Sequence, residues 1–214
     1  MKYKNKNFQV SCDGGAATGK STGAKMISRK YNLKFLSSGL LYRYAAYLII
    51  KNNPKNKVVF LKEKFKKLNI KKLRTINLHS HEISEISAKI AKIFKVREIL
   101  KKYQLLFVKK YKYCCIEGRD ISTKILPNSN VKFFFICNLK TASKRRFKEL
   151  KKKSPKIKLK DVEKSLRIRN ISDLRRKNSP LLKHRDSIVI DTGKLNKQAM
   201  LNKMSKYIDR AITK

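Results

Sequence analysis

The chain has 214 residues, enough for one well-filled α/β domain with a small insert and too few for two independent cores. No apolar run approaches the roughly 20 residues of a membrane-spanning helix, and the basic stretch from Met1 to Phe8 has no apolar signal core behind it, so a cytoplasmic protein without a membrane partner is expected. The formal charge of +42 raises a nucleic-acid partner, but its lysines are spread along the whole chain among abundant Asn, Ile, Phe and Tyr, the residues that A/T-rich codons supply, so no specific nucleic acid is expected.

Phe8 to Cys12 is a short apolar segment that reads as a strand and runs into Asp13 and a glycine turn. Lys20 to Tyr31 follows, with Ala24, Ile27 and Tyr31 at helical spacing. Ser38 to Ile50 reads as a second helix, with Ser38 as its N-cap and Leu41, Ala45 and Leu48 on one face, and Pro54 ends it. From Val58 to about Asn77 the chain is lysine-rich with scattered apolar residues, which predicts a peripheral, mobile insert. Ser84 to Leu106 sets Ile86, Ile90, Ile93, Val96 and Leu100 in a helical stripe suited to packing on the main sheet.

Tyr113 to Ile116, Val131 to Cys137 and Ser187 to Asp191 are dense apolar runs without alternation, the pattern of parallel strands covered on both faces. The cysteines at 12, 114, 115 and 137 fall in such runs and read as small core residues of a reducing compartment. Lys140 to Lys152, Asp161 to Arg169 and Lys194 to Ile212 read as helices. Strands therefore alternate with helices, which implies an α/β fold with a parallel sheet.

Gly14-Gly15-Ala16-Ala17-Thr18-Gly19-Lys20-Ser21, followed by Thr22, fits the phosphate-binding pattern G-x-x-x-x-G-K-[ST] between a strand and a helix. Glycines let successive backbone N–H groups turn around a β-phosphate, and the helix N-terminus adds a favourable dipole. Lys20 is then expected on the β- and γ-phosphates of ATP and Ser21 on magnesium, with Asp13 in its outer shell.

Three further segments address the second substrate: Ser37 to Arg43, Glu117-Gly118-Arg119-Asp120 at the carboxyl edge of a strand, and Arg167 to Arg176. The chain holds 43 lysines and 13 arginines. An arginine kept against that preference suits planar, bidentate contact with phosphate, so Arg43, Arg119, Arg169 and Arg176 are candidates for gripping the acceptor phosphate and the transferring group.

These residues, in this order, resemble the bacterial cytidylate kinases over nearly the whole chain. The likeness rests on Val10 to Thr22, Ser38 to Arg43, Val96-Arg97-Glu98, Gly118-Arg119-Asp120 with Thr123 and Pro127, and the series Arg169, Asp173, Arg176, Pro180, Leu181. It implies the P-loop nucleoside-monophosphate-kinase fold: a five-stranded parallel sheet flanked by helices, with a nucleotide-binding insert and a lid. The core would take about 1–51, 98–150 and 177–214, the insert about 52–97 and the lid about 151–176, its mobile part at Lys151 to Lys160 around Pro155. By the same likeness Ser38, Arg43, Arg119 and Arg176 hold the CMP phosphate and sugar region, Arg97 and Asp120 address cytosine, Asp173 meets the ribose, and Arg169 reaches the phosphates. Adenine would lie near Thr192 and Gly193.

The chain departs from the family pattern at Ser37 (usually Asp), Ala88 (a base-reading Ser), Phe94 (Pro) and Ser122 (Gly). The expected activity is transfer of the γ-phosphoryl group of ATP to CMP or dCMP by a magnesium-dependent monomer. Lys20, Arg119, Asp120, Arg169 and Arg176 would carry the catalysis. The alternatives are a small-molecule P-loop kinase with another acceptor and a basic nucleic-acid-binding P-loop protein.

Overall fold

In the computed structural model, which describes residues 7–70, 73, 75–152 and 155–213, the apolar runs form a five-stranded sheet. Most of the basic N-terminal stretch, residues 71, 72 and 74 of the expected insert and residues 153 and 154 of the expected lid lie outside the described residues. The chain divides into two compact units: the described residues up to Leu36 together with those from Lys112 onward, and Ser37–Tyr111.

The first unit carries β1 (Phe8–Gly14), α1 (Lys20–Lys30) and β2 (Lys34–Ser37), the last shared with the boundary to the second unit. The second unit holds α2 (Ser38–Asn52), α3 (Lys57–Lys66), α4 (His81–Ile90) and α5 (Phe94–Lys110). The chain returns to the first unit with β3 (Tyr113–Gly118), β4 (Val131–Ile136), α6 (Leu139–Lys151), α7 (Leu159–Arg175), β5 (Ile188–Asp191) and α8 (Lys197–Thr213). A π-helical turn, Ile121–Ile125, follows β3.

The strand order is β2-β3-β1-β4-β5, and β1 pairs in parallel with both β3 and β4. Such placement explains the unbroken apolar runs: Phe8, Val10 and Cys12 of β1 and Phe133 and Phe135 of β4 are fully buried, packed with Ala24 and Ile27 of α1 and Met200, Met204 and Ile208 of α8. Each large side chain buried this way contributes about 1.5–3 kcal/mol. A smaller cluster joins Ala16 of the glycine turn to Ala142 of α6 and Val162 and Leu166 of α7. Cys12, Cys114 and Cys115 are buried in this sheet, while Cys137 is partly exposed.

The second unit differs from its sequence reading in three places. Ser37, not Ser38, caps α2, its hydroxyl accepting from Leu40 N at 3.3 Å. The lysine-rich segment after Pro54 forms α3, capped by Asn56 and anchored by buried Leu61 and Phe65, so apolar residues four apart were enough to make an amphipathic helix there. The stripe from Ser84 to Leu106 is two helices, not one. The chain tightens at Lys92 N to Lys89 O and Ile93 N to Ile90 O, which leaves Ile93 exposed while Ile90, Val96 and Leu100 stay buried. Within this unit α4 packs on α2 and α5 on α3.

Candidate active site

The end of β1 delivers the chain into the phosphate-loop sequence. Gly14 has φ 155°, and a Cβ there would fall against the Phe135 carbonyl of the neighbouring strand. Gly19 has φ 81°, in the left-handed region open to glycine, and precedes α1 as an N-cap without a side-chain hydrogen bond. The positive end of α1 is thereby left to the loop, an arrangement suited to an anion. Ala17, with φ 57°, adds a left-handed residue of the kind that turns consecutive N–H groups to one side.

The loop is held from inside and from above. Thr18 Oγ1 and Lys20 Nζ both donate to the Gly15 carbonyl at 3.0 Å, and Ala16 N donates to Asn170 Oδ1 of α7 at 3.1 Å. Lys20 is buried, with Nζ 4.0 Å from Glu117 Oε2 at the end of β3. Burial pushes its amine down to about 7, the Arg119 and Arg169 charges push the same way, and Glu117 opposes them. A lysine in that state regains its proton when phosphate oxygens arrive. Ser21 and Thr22 occupy the first turn of α1.

Asp13, expected in an outer magnesium shell, spends both carboxylate oxygens on the π-helical turn. Ile121 N donates to Oδ1 at 2.8 Å, and Ser122 N and Oγ donate to Oδ2 at 2.7 and 2.6 Å. Burial lifts its pKa to about 6 against these hydrogen bonds, which lower it. The strap holds the segment that begins with Arg119 and Asp120 against the strand that leads into the loop. Asp120 is buried, and its charge adds to the rise at Asp13.

Arg119 and the far end of α7 meet at one carboxylate. Asp173, expected at the ribose, receives Arg119 Nε on Oδ2 at 2.9 Å and Arg176 Nη1 on Oδ1 at 3.1 Å. Burial alone would raise Asp173, but Arg119, Arg169 and Arg176 outweigh it and hold the carboxyl below its usual range. Arg176 is steadied further by Nε donating to Ser179 O at 2.6 Å. Arg169 lies on α7, and its charge acts on both Lys20 and Asp173.

After β5, Thr192 Oγ1 donates to Thr18 O at 2.8 Å, while Arg145 of α6 reaches Thr192 Oγ1 at 2.8 Å and Thr192 O at 2.7 Å. The loop assigned to adenine is thus tied to the phosphate loop.

In the second unit Arg43 Nη1 donates to Leu78 O at 3.0 Å and Ser84 Oγ at 2.9 Å. Arg97 is buried, donates to Ala91 O at 3.1 Å and lies 5.6 Å from the Tyr42 ring centroid. Ser38 is buried at the start of α2, and Ala88 is half-buried on α4.

In the first unit, then, the structure gathers Lys20, Arg119, Asp120, Arg169, Asp173 and Arg176 around the glycine turn and α7. In the second unit it places Ser38, Arg43 and Arg97. Sequence reasoning overlooked Asn170, Arg145 and the contact of Glu117 with Lys20. Glu117 carried a signal, an acid closing a buried strand, and so did Arg145, an arginine in a lysine-rich chain.

A family model described as cytidylate kinase matches residues 10–210. The chain is 34% identical over 212 residues to the cytidylate kinase of Bartonella tribocorum, covering 97% of each chain. It is 32% identical over 211 residues to that of Rickettsia conorii, covering 97% of this chain and 94% of the other. Among solved structures, an uncharacterized protein from Eubacterium ventriosum superposes with TM-score 0.57 at 17% identity over 96% of this chain and 99% of the other. A shikimate kinase from Bacteroides thetaiotaomicron does so with TM-score 0.52 at 11% identity over 94% and 98%.

Proposed function

The chain belongs to the cytidylate kinase family, and we propose that it transfers the γ-phosphoryl group of ATP to CMP or dCMP, giving CDP or dCDP and ADP. The observation that carries this reading is the buried Lys20 within the glycine turn, with the Arg119 and Arg169 charges acting on it and Arg176 joined to Arg119 through Asp173. That is charge placed for a transferring phosphoryl group rather than for covalent catalysis.

In this reading the backbone of Gly14 to Gly19 cradles the β-phosphate and Lys20 bridges the β- and γ-oxygens. An acceptor phosphate oxygen attacks the γ-phosphorus in line as the β–γ bridging P–O bond breaks and its electrons leave with ADP. Arg119, Arg169 and Arg176 neutralise the equatorial oxygens, and Asp120 serves the acceptor. Ser38, Arg43 and Arg97 serve the acceptor phosphate and base, with the acceptor-binding insert at about 52–97 and the lid at about 151–176.

Among the described residues no three His, Cys, Asp or Glu side chains form a metal-binding group. A magnesium ion carried on nucleotide phosphates takes only one or two protein oxygens and several waters, a demand that the Ser21 hydroxyl and the Glu117 carboxylate fit. It would supply charge neutralisation on the β- and γ-phosphates. No described helix is long and apolar enough to cross a membrane, and this reading takes the protein as a cytoplasmic monomer.

The test is ADP production from ATP and magnesium with CMP, dCMP, UMP, AMP, dTMP or no acceptor. Turnover that depends on CMP or dCMP supports the reading, and equal rates with and without acceptor overturn it.

A further inference from the structure

Ser122 closes a buried junction that the transfer chemistry described above leaves unused. Its Oγ–H and N–H both donate to Asp13 Oδ2, at 2.6 and 2.7 Å, while Ile121 N takes Oδ1 at 2.8 Å. Asp13 and Ser122 are both fully buried. The junction joins the last residues of β1, which lead into the phosphate loop, to the π-helical turn directly after Arg119 and Asp120. The turn then closes on itself, Lys124 N donating to Asp120 O at 2.9 Å and Leu126 N to Ile121 O at 2.7 Å. Two backbone N–H groups alone would leave each oxygen of this water-excluded carboxylate with a single donor; the Ser122 hydroxyl gives Oδ2 a second.

We propose that Ser122 is a positioning residue for phosphoryl transfer, acting through Asp13 to hold Arg119 and Asp120 in register with the phosphate loop. The inference rests on the kinase reading above and adds to it a residue that touches neither substrate.

The groups facing Asp13 are few. Across the strand ladder β3 presents Gly118 and β4 presents Phe134, neither of which titrates. The turn presents Asp120, whose charge raises Asp13, and the Ser122 donors, which lower it. Cys12, its neighbour in β1, is kept a neutral thiol, its pKa pushed well up by burial. Removing the hydroxyl therefore makes Asp13 easier to protonate, and a protonated carboxyl accepts less from Ile121 and Ser122.

The experiment compares the parent with Ser122→Ala and Ser122→Cys, the latter nearly isosteric but a weak donor. CMP-dependent kcat and KM are measured from pH 5.5 to 8.5, with nucleotide binding followed by a fluorescent ATP analogue. The expected result is an acidic limb of kcat displaced upward by about one pH unit in Ser122→Ala, a tenfold change in the protonation equilibrium. Ser122→Cys should fall between that variant and the parent. Analogue affinity should change less than twofold, and amide protection of Ile121 and Ser122 by hydrogen exchange should fall in the same order. Parallel pH profiles and equal protection in all three overturn the proposal while leaving the kinase reading intact. A parent without CMP-dependent turnover at any pH overturns both. A variant that melts at pH 8 with parallel profiles over the range where it is folded assigns Ser122 to stability alone and also overturns it.

Discussion

Two arginines of each unit show contacts of different kinds. Arg119 and Arg176 of the first unit share the carboxylate of Asp173, so their direction is fixed by an opposite charge. Arg43 and Arg97 of the second unit donate to carbonyls of Leu78 and Ala91, the Ser84 hydroxyl and, for Arg97, the face of Tyr42. A carbonyl or hydroxyl contact of this kind aims a guanidinium without itself adding an opposite charge. A carboxylate clamp offsets part of the charge and fixes geometry of a kind needed where charge develops during transfer. Within the first unit Lys20 stands between these cases, its amine resting on a carbonyl with Glu117 at 4.0 Å.

The largest change should come from Lys20→Ala, with kcat/KM falling by about 10² to 10³-fold, the range for removing one preorganised donor to the developing charge. Acceptor-dependent ADP release measures it. Next is Asp173→Asn, which leaves two largely buried guanidiniums facing one another and should lower stability by about 3 kcal/mol at pH 7, read by thermal unfolding. The sign follows from its depressed pKa: the stabilisation is present above the unfolded value of 3.8 and is lost as pH falls through the folded value. The gap between parent and variant should therefore narrow toward pH 3.

Ser84→Ala tests the hydroxyl contact with Arg43 and should have a smaller effect. Losing one hydrogen bond to Arg43 is worth about 1 kcal/mol, seen as a several-fold rise in the CMP KM with little change in kcat. Equal losses from Asp173→Asn and Ser84→Ala in both stability and KM would break the distinction between the two kinds of contact. The smallest effect is less than one proton. With the Lys20 amine near 7 before nucleotide binds, ATP binding at pH 8 should take up a fraction of a proton and at pH 6 almost none from this group. Calorimetry in buffers of different ionisation enthalpy separates the two.

Much of the first unit was readable because its chemistry is carried by backbone and by spacing. Gly14 and Gly19 have no substitute at their φ values, and the dense apolar runs of β1 and β4 admit little but central strands. β2 escaped notice because four residues, Lys34–Ser37, are too few to show a period. The choice of Ser37 over Ser38 as cap turns on a single residue of register, which two adjacent serines cannot reveal. The break between α4 and α5 has no glycine or proline to mark it. The Asp173 clamp, the Asn170 contact with Ala16 and the Arg145 hold on Thr192 join residues 54, 154 and 47 positions apart, and no local pattern announces such pairings. Arg43 stood out through its residue type and Arg97 through the family likeness, but their fixed acceptors appear only once α4 and α5 are in place.

The uneven exposure of the cysteines gives the molecule a built-in attachment point. Three thiols sit inside the sheet, while Cys137 is partly open at the end of β4, its sulfur 3.8 Å from Arg145 Nη1. A maleimide dye added to the folded protein should couple there first, next to an arginine that grips the loop after β5. Its emission would then follow nucleotide arrival in the unaltered chain, with no engineered label required.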